Sequence, residues 1–219
     1  MSKVYIAIAA GAVLLGAGYW AISPRQSAAP SADLYATSTP TVATTTAAAA
    51  TTTTTTTNPA KVMHATLHTS KGDIVIEFFA DAAPKTTTNF IKLAKAGFYD
   101  NTKFHRVIKG FMNQGGDPLT TDDSQAARWG TGGPGYKFAN ENVIAHNGVG
   151  VVSMANSGPD TNGSQFFINA ADNAFLDGKY NVFGKVTTGL DVVMAINNVP
   201  TDGSDRPLTP VVITGITLQ

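Results

Sequence analysis

FHRVIKGFMNQGGD, residues 104–117, places an arginine among large apolar side chains. Arg106 stands between Phe104, Val107, Ile108, Phe111 and Met112, with Lys109 and Asp117 as the other formal charges. Apolar density of this kind marks a half-buried strand, where a charge without a partner is rarely tolerated. The Lys109-Gly110 step reads as a turn. If that turn adds one residue through a bulge, Gln114 on the returning strand falls opposite Arg106. The other reading of the guanidinium is a structural ion pair, or a charge that reaches the surface along its own stem.

Outward from this hairpin the chain alternates short apolar runs with turn residues. VMHATLHTSKGDIVIEFF (62–79) reads as two alternating strands joined at Ser70-Lys71-Gly72-Asp73. APKTTTNFIKLAKAGF (83–98) reads as a helix, with Pro84 in its first turn and Phe90, Leu93 and Ala94 on one face. Gly97 stops it. GVGVVSM, SQFFINA and YNVFGKV follow as short strands, TTGLDVVMAINNV (187–199) as a second helix and VVITGITL as a closing strand. Many short strands with only two helices predict a mostly antiparallel closed barrel rather than a parallel α/β fold.

The N-terminal part has a different character. From Val4 to Ile22 there are 19 residues without a charge, close to the ~20 that span a bilayer as a helix. Residues 1–23 are therefore expected to be a transmembrane anchor, or a signal segment cleaved near SAAPSA (27–32). Lys3 favours a cytoplasmic N-terminus, which puts the rest of the protein outside the cytoplasm. Residues 24–60, with a run of threonines from Thr51 to Thr57, carry too little apolar surface to offset the entropy of ordering. They are expected to form a disordered tether spanning roughly 35 Å on average. Residues 61–219 are the globular domain.

Composition removes several function classes. Lysine plus arginine and aspartate plus glutamate number 15 each; setting aside Lys3, Arg25 and Asp33 leaves 13 basic against 14 acidic residues. That balance gives no footprint for nucleic acid. With no cysteine, disulfides, thiol catalysis and cysteine-bound metals are excluded. His64 and His68 lie on the polar face of an alternating strand, and no third metal ligand accompanies them. GTGGPG (130–135) matches a dinucleotide fingerprint in letters, but QAARW precedes it and Pro134 interrupts it. It reads instead as a loop at the edge of a groove. Ser153, Ser157 and Ser164 lie in no nucleophile elbow.

A second cluster, MANSGPDTNGSQFFIN (154–169), offers Asn156 and Gln165 beside Phe166 and Phe167. An apolar floor with one guanidinium and several neutral amides at its edge suits a peptide. FHRVIKGFMNQGGD, GTGGPGYKF, VSMANSGPDTNGSQFFI and FLDGKYNVFGKV, in this order and spacing, resemble the cyclophilins, specifically the bacterial type, from about Val62 to Gln219.

The resemblance implies an eight-stranded antiparallel β-barrel closed by two helices, and peptidyl-prolyl cis-trans isomerase activity without a cofactor or metal. It assigns Arg106 as the catalytic arginine. It puts Phe111, Met112, Phe167 and Leu176 in a proline pocket, with Phe175 and Tyr180 at the rim. His105, Gln114, Ala155, Asn156 and Gln165 correspond to the groove that holds the peptide backbone. The expected partners are proline-containing polypeptides and, through the N-terminal helix, a membrane; the domain is expected to be monomeric. The rival reading is a proline-peptide binding module or holdase without turnover. Phe175 stands where many eukaryotic members of the family have tryptophan, Tyr180 replaces a common histidine, and DPLTTDDSQAARW (117–129) is longer than in minimal members.

Overall fold

A computed structural model describes residues 63–141 and 145–219. The expected anchor and tether lie outside these residues. Among the described residues, no helix is long and apolar enough to cross a membrane.

The first hairpin pairs β1 (His64–Thr69) with β2 (Gly72–Phe78), Thr69 facing Gly72 across a two-residue turn. Alternation sends Ala65 and Leu67 of β1, and Ile74, Ile76 and Phe78 of β2, into the core. His64 and His68 lie on the other face, where the His68 ring meets Asp73 Oδ1 and Thr217 Oγ1, each at 2.9 Å. The first helix, α1 (Pro84–Lys95), buries Phe90, Leu93 and Ala94. Gly97 ends it at φ +67, with its N–H donating to Ala94 O and that of Phe98 to Leu93 O.

Seven further strands complete one antiparallel sheet. They are β3 (Thr102–Lys103), β4 (Arg106–Ile108), β5 (Met112–Gly115), β6 (Val151–Met154), β7 (Phe166–Asn169), β8 (Val182–Thr188) and β9 (Val212–Leu218). Their order is β3-β9-β1-β2-β8-β6-β7-β5-β4. The two end strands are consecutive in the chain. Thr102 and Lys103 pair with β9, and Phe104 N–H still donates to Val211 O (3.0 Å). His105 N–H then donates to Gln114 O (3.1 Å) as the chain crosses to β5. Counted as one bent strand that changes partner, β3 and β4 reduce the nine ladder strands to the eight expected.

Phe90 of α1 fills the interior, with ring centroids 4.9–5.7 Å from Tyr99, Phe183, Phe166 and Phe78. The second helix, α2 (Leu190–Asn197), is shorter than the 187–199 expected. Thr187 and Thr188 belong to β8, and Gly189 makes the corner at φ +86. A Cβ there would lie 2.2 Å from Asp73 O, so only glycine fits. The C-terminal end of α2 is bonded to the β4–β5 hairpin. Asn197 donates to Ile108 O (2.9 Å) and Asn113 Oδ1 (2.8 Å) and accepts from Gly110 N–H (2.8 Å). Asn113 donates in turn to Val193 O (2.9 Å).

Candidate active site

Arg106 pairs with Gln114, Val107 with Asn113 and Ile108 with Met112. Phe111 N–H closes the turn onto Ile108 O (3.0 Å), and Gly110 takes φ +70 at its third position. The loop thus gains the one residue that sets Arg106 across from Gln114. Alternation then sorts the hairpin into two faces. Val107 and Asn113 are buried against the body of the domain, while Arg106, Met112 and Gln114 face a groove. Neighbouring β7 divides the same way: Phe166 joins the main core, and Phe167 joins Met112 and Leu176 in a separate apolar cluster.

That cluster floors a cavity of about 490 Å³. Ten of the twelve expected site residues line it: His105, Arg106, Phe111, Met112, Gln114, Ala155, Asn156, Phe167, Leu176 and Tyr180. Phe111 is fixed from behind, its carbonyl accepting from Ala170 N–H (2.9 Å) and Asn173 Nδ2 (3.0 Å). Tyr180 meets Phe167 edge-on at 5.4 Å, and Phe175, 61% exposed, stacks on Phe111 at 5.6 Å as an outer rim.

Gln165 lines an adjoining cavity that shares Gln114, Ala155 and Asn156 with this one. There it accepts from Gln114 Nε2 (3.0 Å) and donates to Gly130 O (3.0 Å) and Gly132 O (2.8 Å), tying strand to glycine loop. Asn156 is similarly engaged, donating to Lys179 O (3.2 Å) and accepting from Gly158 N–H (3.2 Å).

The glycine loop is shaped by a carboxylate. Asp117, fully buried, accepts from Leu119, Gly130 and Gly132 N–H. A Cβ on Gly132 would lie 2.0 Å from Asp117 Oδ1, so the backbone approaches this closely only as glycine. GTGGPG therefore forms a groove edge, as its context in the sequence suggests.

Arg106 is 44% exposed, and its Nε lies 3.6 Å from Asp205 Oδ2, itself 44% exposed. The structural ion pair considered from sequence does form. At this exposure such a pair contributes only ~0–1 kcal/mol, so it restrains the guanidinium without committing it. The Arg106 guanidinium and several amide groups thus border an apolar floor. Such an arrangement can hold a small apolar ring beside a strong hydrogen-bond donor.

Sequence reasoning missed Ala127, Trp129, Ser204 and Arg206, which with Gly130 of the glycine loop form the wall beside Arg106. The length of the 117–129 excursion was a signal for the first two. Nothing in SDRP pointed to the last two.

His105 is 6% exposed, and neither ring nitrogen has a hydrogen-bond partner among the described residues. Burial holds its pKa down at about 4, against the opposing pull of Asp117 and with help from Arg106. His146 is raised instead, chiefly by its hydrogen bond to Asp177 (2.8 Å). An NMR titration should show His105 neutral down to about pH 4 and His146 titrating above its ordinary value. The unfolded chain protonates His105 near 6.5, so this residue removes stability as pH falls from there toward 4. His146 acts with the opposite sign: its stabilisation is present below 6.5 and lost as pH rises through its folded pKa. A His105 midpoint near 6.5 would show a solvated ring.

Comparison with known proteins agrees with this geometry. Residues 64–218 match the family model "Cyclophilin type peptidyl-prolyl cis-trans isomerase/CLD". "Peptidyl-prolyl cis-trans isomerase CYP18-1" of Arabidopsis thaliana is 46% identical over 159 residues, covering 72% of this chain and 96% of that protein. "Probable peptidyl-prolyl cis-trans isomerase A" of Mycobacterium bovis is 44% identical over 181 residues, covering 74% and 95%. A Cryptosporidium parvum cyclophilin-type isomerase, crystallised in the presence of the dipeptide Ala-Pro, superimposes with a TM-score of 0.65. It is 36% identical, over 71% of this chain and 98% of that one. The chain belongs to the cyclophilin-type peptidyl-prolyl cis-trans isomerases, with residues 64–218 as its isomerase domain.

Proposed function

We propose that this isomerase catalyses X–Pro rotation by donation from Arg106 to the prolyl nitrogen, and that it serves polypeptides folding outside the cytoplasm. The barrier of ~18–20 kcal/mol arises from conjugation of the nitrogen lone pair with the carbonyl. As the bond twists, the nitrogen pyramidalises and becomes an acceptor, which it is not in either planar state. A donor waiting there stabilises the transition state alone. Phe111, Met112, Phe167 and Leu176 hold the ring, with Phe175 and Tyr180 at the rim. His105, Gln114, Ala155 and Asn156 flank the peptide, and Gln165 acts by bracing the groove edge. No cofactor enters the reaction.

The observation that carries this reading is the placement of Arg106 on the wall of a cavity floored by Met112, Phe167 and Leu176. Exchange NMR on a proline peptide tests it, because the experiment reports isomerisation and binding together. Arg106→Ala should slow exchange and leave peptide affinity nearly intact.

The cellular setting rests on sequence. The charge-free run from Val4 to Ile22 and the threonine-rich stretch after it support an anchored enzyme on a long tether. The order and spacing of the four motifs support the bacterial type of the family. In intact cells whose outer barrier has been opened, added protease should digest the isomerase domain while a cytosolic marker survives. Equal protection of both would overturn the location.

A further inference from the structure

The long excursion after Asp117 forms two 3₁₀ turns, Pro118–Thr121 and Asp123–Arg128, and ends at Trp129. The Trp129 indole N–H donates to Leu119 O (3.0 Å) and Asp122 O (3.2 Å), which fixes the ring. Arg206 Cζ lies 4.8 Å from the ring centroid and Lys103 Nζ 4.9 Å. Arg206 also donates through Nη2 to Ala126 O (2.9 Å). Its backbone is held by the Asp202 carboxylate, which accepts from Arg206 N–H (2.9 Å) and Ser204 N–H (2.8 Å). The excursion and the 202–206 turn thus present a guanidinium in a fixed orientation.

That guanidinium lines the same cavity as Arg106. The Asp202 carboxylate acts on Arg206 electrostatically, but its hydrogen bonds go to backbone N–H groups rather than to the guanidinium. Asp205 pairs with Arg106, Asp123 pairs with Lys103, and among the described residues no carboxylate forms an ion pair with Arg206. His105 is neutral at ordinary pH. With only one bond to a carbonyl, most of the donors of the fork remain available, and their planar geometry matches a carboxylate.

We propose that Arg206, stacked on Trp129, is a specificity residue that selects substrates carrying a glutamate or aspartate side chain close to the isomerising proline. This rests on the reading that the Arg106 groove holds the prolyl bond, and adds a second, charge-reading position to it. The tryptophan holds the guanidinium in place, so less side-chain entropy is lost when the carboxylate binds.

The test uses the full-length protein and proline peptides that differ at one flanking position, as glutamate, glutamine or lysine. Glutamate should exceed glutamine in kcat/KM by about threefold to tenfold at one flank, and lysine should fall below both. The advantage should shrink as salt rises, since the site is open to solvent. In Arg206→Gln the glutamate-to-glutamine ratio should collapse to about one, and Arg206→Lys should retain part of it. A wild-type ratio of one, or a glutamate preference that survives in Arg206→Gln, overturns the proposal. The two readings fail differently. An error about Arg106 appears in the rates of every peptide alike, whereas an error about Arg206 appears only in the ratio, in rate and in binding affinity.

Discussion

Arg106→Ala should lower prolyl exchange by about a hundredfold to a thousandfold, the ~2.7–4 kcal/mol that one directed transition-state donor supplies. Peptide affinity should change little, because the apolar floor of Met112, Phe167 and Leu176 is untouched. The fold should survive as well. On β4 it is Val107 that is buried, and its N–H donates to Asp205 O (2.8 Å) whatever occupies position 106. The ion pair lost with Asp205 is exposed at both partners and contributes ~0–1 kcal/mol. Arg106→Lys should recover little of the rate, since a point charge on a flexible stem does not reproduce a planar fork. Exchange NMR across a peptide titration separates the two effects. An Arg106→Ala protein that turns over at the wild-type rate would move the chemistry elsewhere; one that loses rate and affinity equally would make Arg106 a binding residue.

The hairpin carrying Arg106 was legible because local chemistry determines it. A glycine at the turn and alternation on either side leave one register in which Val107 is buried and Arg106 faces Gln114. The division of Phe166 from Phe167 follows from the same two-residue period. Both helices were legible from their apolar faces, though the start of α2 was not. Gly189 has the positive φ of a corner, and its role depends on Asp73 O, more than a hundred residues upstream. The wall of the groove was illegible for a similar reason. Arg206 reaches Trp129 and Ala126 across 80 residues of chain, and no periodicity records such a contact. The polar interior was the least visible part. Asn113 and Asn197 are buried amides that bond each other and the hairpin, yet each stands in sequence among residues that read as core or loop. Gln165 reads as a groove residue by type, and its three partners show that it also braces the groove edge.

Asp117→Ala should destabilise the domain by at least ~3 kcal/mol, because hydrogen bonds to a charged acceptor contribute ~1.5–3 kcal/mol each and three are lost together. The carboxylate is inaccessible to solvent, so water does not readily replace it. Alanine would leave the N–H groups of Leu119, Gly130 and Gly132 without their acceptor. For a domain of this size ~3 kcal/mol corresponds to a fall in Tm of about 6–12 °C. Asp117→Asn should cost less, since its one carbonyl oxygen still serves part of the set while the amide turns a donor toward other donors. The consequence reaches the groove. Gly130 and Gly132 present the carbonyls that Gln165 braces, and Trp129 adjoins them, so peptide KM should rise before the fold is lost. Thermal melts of the three proteins, with KM measured well below the lowest Tm, check both parts. A Tm for Asp117→Ala within 2 °C of wild type, or a lower Tm with unchanged KM, would show that the carboxylate does not hold the loop that shapes the groove.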